Sequence, residues 1–321
     1  MHINHSSSRN LRNTSAARAR FVTVSAAALA LALSLAGCQG SHQQATESAS
    51  QSASSSTAAA RPDTALHTVR LQGADNFRDV AGTDTTYAAS AGKRLRPGMV
   101  YRSNALHNLT DSDLAHLRDL GVKTVIDLRT HSEIASQPDR VPAGAHYTNV
   151  DIMGQGNTAV NPTKAFHVDT PAAAETMLKK ANIGFVADPA QRKAFATVLT
   201  DIANAPGPVL FHCTAGKDRA GWTAALLQLT AGVSREDVMK NYLATNNYSA
   251  SSIAATTKTI KAAKGENTAA AYRMLLGVQA DYLNAGLDKL DSDYSSIDAY
   301  LTHGLGLPEA TIQKLRAKLT T

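Results

Sequence analysis

Short β-prone runs alternate with helical patterns between residues 99 and 230 of this chain. Apolar and β-branched positions predict four strands, at residues 99–101, 122–128, 145–150 and 208–213. One helix is predicted to begin after the capping residue Thr110 and to end at Gly121, and another to cover residues 189–205. Because strands and helices alternate, we expect an α/β domain with a central sheet flanked by helices.

The rest of the domain has a different pattern. From Ser234 onward, the spacing of apolar residues predicts a helical C-terminal part, with helices at residues 234–246, 268–290, 295–301 and 308–319. Residues 153–185 have no place in the sheet and contain one short helix-prone piece, residues 172–181. Long insertions of this kind are often lids over a site, so residues 153–185 are a candidate lid, with a disordered surface loop as the alternative.

The N-terminal segment has the pattern of a targeting sequence. Four arginines and no acidic residue accompany an apolar stretch at residues 21–36, about the length of a signal-peptide core. The stretch ends in Leu35-Ala-Gly-Cys38, which resembles the bacterial lipobox. We therefore expect residues 1–37 to be a signal peptide and Cys38 to be lipidated, with acyl chains such as palmitate. An ordinary secretion signal or a membrane anchor is the alternative, although the run is short for a stable span.

A tether and one folded domain are expected after the signal peptide. Residues 38–61 are rich in Ser, Ala, Gln and Thr and have almost no large apolar side chain, so they should stay flexible. Residues 62–321 are enough for one domain with a full core. We expect an exported protein that is held by lipid at the bacterial cell envelope, or released from it.

The charge of the chain does not indicate a nucleic-acid partner. The formal net charge is +6, from 32 Lys and Arg against 26 Asp and Glu. Removing the four arginines of the signal peptide lowers the basic count to 28 and leaves a net charge near +2. Nucleic-acid binding usually needs a dense basic patch, and the sequence has none.

Cysteine usage points to chemistry rather than to cross-linking. The chain has two cysteines, Cys38 and Cys213. If Cys38 carries lipid, no pair is left for a disulfide, and no cysteine cluster is left for a metal. A lone thiol in an exported protein is open to oxidation, so its retention fits a catalytic role better than a packing role.

The most informative segment is His212-Cys-Thr-Ala-Gly-Lys-Asp-Arg219, which has the spacing C-x5-R. An apolar strand leads into it and an amphipathic helix leads out of it. A loop of this kind can turn its backbone N–H groups inward at a helix N-terminus, where an anion such as phosphate binds. Cys213 would then lie under the phosphorus atom, and the planar guanidinium of Arg219 would hold two phosphate oxygens.

This segment resembles the active-site loop of the cysteine-dependent phosphatases. It is most similar to the bacterial tyrosine and phosphoinositide phosphatases whose loop reads HCxAGKDR. Further similar segments are Asn76-Phe-Arg-Asp-Val80, Tyr101-Arg-Ser103, Asp127-Leu-Arg129, Tyr242-Leu243 and residues 277–283. The resemblance covers roughly residues 66–320. It implies a protein tyrosine phosphatase-like fold, with phosphorylated proteins or phosphoinositides as substrates, the membrane reached through the lipid anchor, and no metal or cofactor.

Each residue of the loop has an expected role. Cys213 is the predicted nucleophile, because a thiolate can attack phosphorus and form a phosphocysteine. Arg219 is expected to stabilise the charge on the phosphate oxygens, and His212 to orient the loop. The rest of the phosphate site is expected to come from Thr214, Ala215, Gly216, Lys217 and Asp218. The ammonium group of Lys217 also adds charge at the rim that could bind a second phosphate.

The general acid that protonates the leaving oxygen is left open between two aspartates. The resemblance points to Asp127, at the end of a predicted strand, and to Asp218, inside the loop. Many tyrosine phosphatases use a Trp-Pro-Asp tripeptide, which this chain lacks. Gln137-Pro-Asp139 is only a weak likeness of it.

Two other classes of protein are compatible with a cysteine loop. A rhodanese-like sulfurtransferase is one, although Lys217 and Asp218 favour phosphate, and thiosulfate activity would support it. A catalytically weak or inactive phosphate-binding lipoprotein is the other. It would bind phosphate analogues without turning substrate over.

Ala220 departs from the family pattern, in which Ser or Thr usually follows the arginine and helps the cysteine to leave. We therefore predict an unaffected first step and slow hydrolysis of the phosphocysteine. Rapid-quench kinetics should show a small burst of leaving group before a slower steady rate. Fast steady turnover without a burst would contradict this prediction.

Overall fold

The computed structural model describes Leu66, residues 69–154 and residues 168–321, all within the compact unit Ala60–Thr321. The predicted signal peptide (residues 1–37), Cys38, the tether (residues 38–61) and residues 155–167 of the candidate lid lie outside the described residues. No helix of the described part is long and apolar enough to cross a membrane.

The described residues form one mixed sheet of five strands. The strands are β1 (Arg78–Asp79), β2 (Val100–Ser103), β3 (Thr124–Asp127), β4 (His146–Asn149) and β5 (Val209–His212). Their spatial order is β1-β2-β5-β3-β4, with β1 antiparallel to β2 and the other neighbours parallel. β5 is therefore central, and the carboxyl ends of β2, β5 and β3 meet at one edge, where α/β sheets usually place their sites.

Helices cover both faces of the sheet and form most of the C-terminal half. They are α1 (Asp111–Asp119), α2 (His131–Ser136), α3 (Pro171–Ala187), α4 (Pro189–Asn204), α5 (Arg219–Thr230), α6 (Arg235–Leu243), α7 (Thr245–Tyr248), α8 (Ala250–Lys264), α9 (Glu266–Leu276), α10 (Ala280–Tyr294), α11 (Ile297–Ala299) and α12 (Glu309–Leu319). A 3₁₀ turn at Ser90–Gly92 and a π turn at Tyr300–Gly304 complete the elements.

The hydrophobic core lies in two layers because side chains alternate across each strand. Ile126 and Phe211 face a large cluster that includes Trp222 of α5. Their strand neighbours Val125 and Leu210 face a smaller cluster on the opposite side. The central strand is thus buried on both faces, which holds the residue that follows it in a defined position.

The predicted α/β architecture is confirmed, and the four predicted strands all form within one or two residues of their expected limits. The single helix predicted at residues 268–290 is wrong, because α9 ends at Leu276 and α10 begins at Ala280. The side chain of Asn246 holds the extended link between them by hydrogen bonds to the N–H and the carbonyl of Val278, each 2.9 Å long. This break depends on a contact across 32 residues, which periodicity does not reveal.

The described part of the candidate lid contains a packed helix. Residues 171–187 form α3, in which Leu178, Phe185 and Val186 are buried in the large core cluster. Its N-terminal turn is capped by Thr170, whose hydroxyl accepts a hydrogen bond from the N–H of Ala173. The alternative of a disordered loop is therefore wrong for residues 171–187, and the lid over the site stays a prediction.

Candidate active site

The central strand delivers Cys213 to the carboxyl edge of the sheet. Cys213 follows β5 directly, and residues 213–218 connect it to the start of α5; we call this connection the cysteine loop. Ser103 of β2 and Asp127 of β3 are both in register with His212, so the ends of these strands flank the loop. Cys213 itself is buried and makes no disulfide.

Three consecutive carbonyl groups of the cysteine loop are held from outside the loop. The three hydrogen bonds run from Ala105 N to Thr214 O at 3.1 Å, from Asn76 Nδ2 to Ala215 O at 2.9 Å, and from Arg102 Nη2 to Gly216 O at 2.7 Å. In a trans peptide the carbonyl and the next N–H point in opposite directions. The N–H groups of residues 215–217 therefore turn toward the centre of the loop, where they make no hydrogen bond to the described residues. Free N–H groups that converge in this way form an anion site.

Gly216 is the residue that lets the loop lie this close to β2. Its φ of +70° is in the left-handed region, which glycine adopts at little cost. A Cβ atom at this position would lie 2.5 Å from Ser103 O, a backbone atom that cannot move aside.

Arg219 is held in place by a carboxylate from α2. Its two terminal nitrogens each donate to one oxygen of Glu133 at 2.8 Å, and the hydroxyl of Thr214 also contacts Glu133. Arg219 Nε makes no hydrogen bond to the described residues, so it remains available to a phosphate oxygen. Burial opposes the charged form of Arg219, but the neighbouring Cys213 and Glu133 outweigh burial and raise its pKa.

The same ion pair keeps Glu133 ionised. Burial alone would raise the pKa of Glu133, but the hydrogen bonds and charge of Arg219 lower it to about 2. Glu133 also accepts hydrogen bonds from the N–H and the hydroxyl of Thr130, each at 3.0 Å, as the acidic partner of a capping box at the start of α2. One carboxylate thus fixes both the helix and the arginine.

A second charged cluster lies behind His212. Arg129 Nη2 donates to Asp127 Oδ2 and to Asp139 Oδ2, both at 2.7 Å, and Tyr147 donates to Asp127 Oδ2 at 2.8 Å. Nε2 of His212 lies 3.0 Å from Asp139 Oδ2 and 3.8 Å from Asp127 Oδ1. Burial alone would raise the pKa of Asp127, but hydrogen bonding from Arg129 lowers it. Asp127 is therefore a fully buried, ionised carboxylate.

Asp218 has a different environment. It occupies the N-cap position of α5, its side chain is 26 % exposed, and Lys217 Nζ lies 2.9 Å from its Oδ1. Lys217, in contrast, is almost completely buried. The structure thus places Lys217 beside Asp218 rather than free at the rim.

Asp127, Asp139 and His212 are the one group of potential metal ligands among the described residues. The guanidinium of Arg129 already lies between the two carboxylates and supplies the positive charge that they need. This cluster is therefore an ion-pair network rather than a metal centre.

Sequence reasoning missed Glu133. Its only signal was the spacing from Thr130, which predicts a helix cap but not a contact to an arginine 86 residues away. It also missed Asn241, which binds two arginines behind the loop and is discussed below.

Comparisons with known proteins agree with this geometry. The model of the tyrosine phosphatase family matches residues 69–321. The chain is 32% identical to the triple specificity protein phosphatase PtpB of Mycobacterium tuberculosis, with 78% of this chain and 98% of PtpB covered. It is 30% identical to a putative tyrosine-protein phosphatase of Cupriavidus necator, with 78% of this chain and 87% of that protein covered. A tyrosine-protein phosphatase of Nostoc commune is 30% identical, with 68% of this chain and 73% of that protein covered.

The chain therefore belongs to the tyrosine phosphatase family. It is an enzyme of the protein-tyrosine-phosphatase class, a group of phosphoric monoester hydrolases.

Replacing Glu133 should make the free energy of unfolding less dependent on pH in the acidic range. Because the folded-state pKa of Glu133 is about 2, below its ordinary 4.5, its stabilising effect is full above pH 4.5 and is lost as the pH falls toward 2. We expect Glu133→Gln to lower the free energy of unfolding by about 2–3 kcal/mol at pH 7. At pH 3.5 the difference in free energy of unfolding between the variant and wild type should be about 1 kcal/mol smaller than at pH 7.

Urea unfolding at the two pH values measures this difference. Glu236→Gln is the matched control, since Glu236 is an exposed partner of Lys240 and should change stability little at either pH. A Glu133→Gln deficit that stays constant from pH 7 to pH 3.5 would contradict the assignment of the low pKa to the ion pair with Arg219.

Proposed function

We propose that this phosphatase hydrolyses phosphotyrosine, and also phosphoserine, phosphothreonine or phosphoinositide monoesters, through a phosphocysteine on Cys213. The observation that carries this proposal is the cysteine loop, whose carbonyls are held outward while Cys213 and Arg219 lie at its two ends. The relative named as a triple specificity phosphatase supports a range of substrates wider than phosphotyrosine.

The proposed reaction has two displacements at phosphorus. The Cys213 thiolate attacks, the bond between phosphorus and the leaving oxygen breaks, and the leaving oxygen takes a proton from an acid. Water then attacks the phosphocysteine, the P–S bond breaks, and the thiolate is restored as phosphate leaves. The loop N–H groups and Arg219 stabilise the equatorial oxygens in both steps.

Asp218 is the better general acid of the two candidates. Its side chain is partly exposed at the start of α5, next to the loop that would hold the phosphate. Asp127 is completely buried, and its oxygens accept from Arg129 and Tyr147, so a bound substrate has no access to it. We infer that Lys217 positions Asp218 and that Asp127 supports the strand end next to His212.

A leaving-group series tests the nucleophile and the acid together. Cys213→Ser should abolish phosphate release from phosphotyrosine, phosphoserine and phosphoinositide substrates. Asp218→Asn should lower kcat/KM by roughly 10²–10⁴ for phenyl phosphate, whose leaving oxygen needs a proton. It should lower kcat/KM much less for 2,4-dinitrophenyl phosphate, whose leaving group departs as an anion.

Asp127→Asn is the comparison variant for this series. It should lower thermal stability and affect both leaving groups equally, because a buried ion pair is broken but no proton donor is lost. If Asp218→Asn lowers the rate equally for both leaving groups, Asp218 is not the general acid.

Vanadate binding without any phosphate release by the reduced wild type would favour the binding-protein alternative, to which Ala220 gives some support.

We further propose that the enzyme is exported and held at the cell envelope by lipid on Cys38. The support is the arginine-rich start, the apolar stretch at residues 21–36 and the lipobox-like tetrapeptide. Cys38→Ser should abolish labelling by radioactive palmitate and move the protein from the membrane fraction to the soluble fraction. Cys213→Ser is the control and should leave labelling unchanged; membrane association of Cys38→Ser equal to that of wild type would contradict the lipid anchor.

A further inference from the structure

Arg102 is the residue that joins the cysteine loop to the interior of the domain. It lies in β2, next to the central strand, and its Nη2 donates to Gly216 O at 2.7 Å. The close approach of Gly216 to Ser103 leaves no room between the loop and the end of β2. The position of Arg102 therefore sets the position of the loop peptide that it binds.

Asn241 of α6 links Arg102 to a second arginine. Its Oδ1 accepts from Arg102 Nη1 at 3.0 Å, and its backbone carbonyl accepts from Arg78 Nη2 at 2.9 Å. Arg78 in turn donates to the side-chain and backbone oxygens of Asn76, the residue that holds Ala215 O. Two of the three outward carbonyls of the loop are thus connected to residue 241 through hydrogen bonds, one by way of its side chain and the other by way of its backbone.

The two guanidinium groups carry buried charge that no acid balances. Asn76, Arg78, Arg102 and Asn241 are all completely buried, and among the described residues no carboxylate forms an ion pair with Arg78 or Arg102. Burial lowers the pKa of Arg102 to about 10, so it stays charged at neutral pH. An unpaired buried cation is costly, because a low-polarity interior solvates it poorly.

Four groups near Arg102 can become negative, and two of them, Cys213 and Asp218, belong to the cysteine loop. Cys213 is its strongest electrostatic neighbour, followed by Tyr242, Tyr87 and Asp218. The other charged or titratable groups around Cys213 are His212, Lys217, Arg219 and Glu133. Arg219 is already neutralised by Glu133, and Lys217 by Asp218. Among the described residues, Arg102, with Arg78 behind it, is therefore the arginine beside the loop that no carboxylate neutralises.

We propose that Arg102, seated by Asn241, is a positioning residue that holds the cysteine loop ready for phosphate and supplies the uncompensated positive charge that favours the Cys213 thiolate and a dianionic phosphate. This inference rests on the proposed cysteine mechanism. It differs from a purely structural role in one respect: the charge of Arg102 matters, and not only its hydrogen bonds.

Asn241→Asp separates charge from structure. The substitution keeps an oxygen to accept from Arg102 and places a carboxylate beside the guanidinium. The side chain of Asn241 also interacts with the hydroxyl of Tyr87, and that hydroxyl can donate to the new carboxylate.

The measurement is the pH dependence of Cys213 alkylation by iodoacetamide in the full chain, with orthovanadate affinity as a second readout. We expect the alkylation midpoint of Asn241→Asp to rise by about 1 pH unit and vanadate to bind about tenfold more weakly. Asn182→Asp is the matched control. It introduces a carboxylate at an equally buried asparagine whose side chain donates to Leu178 O, and both readouts should stay at wild-type values.

An unchanged midpoint and unchanged vanadate affinity in folded Asn241→Asp would overturn the proposal. If that variant does not fold, Arg102→Lys and Arg102→Gln give the answer. If the alkylation midpoint stays at the wild-type value in Arg102→Lys and rises in Arg102→Gln, the charge of Arg102 matters. Equal midpoints in the two variants would contradict that role. Failure of the cysteine mechanism itself is a separate result, because it appears as absent phosphate release by wild type.

Discussion

The conformation of the cysteine loop depends on hydrogen bonds that hold its carbonyl groups outward. A loop of this length would collapse onto its own N–H groups if its carbonyls were free to accept from them. Ala105, Asn76 and Arg102 prevent this by occupying three consecutive carbonyls from outside. Converging free N–H groups of this kind suit an anion, and the proposed mechanism places phosphate there, between Cys213 and Arg219. Each outside donor lies near the start of the domain or near the end of β2. The conformation of the loop therefore depends on tertiary contacts.

Charge is arranged differently on the two sides of Cys213. On the β3 side, Arg129 satisfies Asp127 and Asp139, and Glu133 satisfies Arg219, so each charge has a partner. On the β2 side, Arg78 and Arg102 have carbonyl and amide partners instead. A domain of nearly balanced charge therefore keeps a local excess of positive charge on the β2 side of the cysteine loop.

Sequence patterns predicted those secondary-structure elements that are determined by neighbouring residues. The helix cap at Thr110 and the central strand before Cys213 follow from neighbouring residues, and the structure contains both. Prediction failed where a distant contact decided the outcome. The break between α9 and α10 is held by Asn246, and α3 gains its partner only when the C-terminal helices pack against it.

The chemistry expected at the site follows from the sequence alone, because strand, C-x5-R loop and helix are contiguous and their spacing limits what the loop can bind. The sequence also indicates that Asp127 and Asp218 lie near that loop. Their different environments arise from the fold, since burial and pairing with Arg129 depend on three separate segments. The same is true of Glu133, Arg102 and Asn241, whose roles arise from contacts made across 86 to 139 residues. Contacts at such separations are not encoded in any local pattern, and they exist only once the sheet has brought its strand ends together.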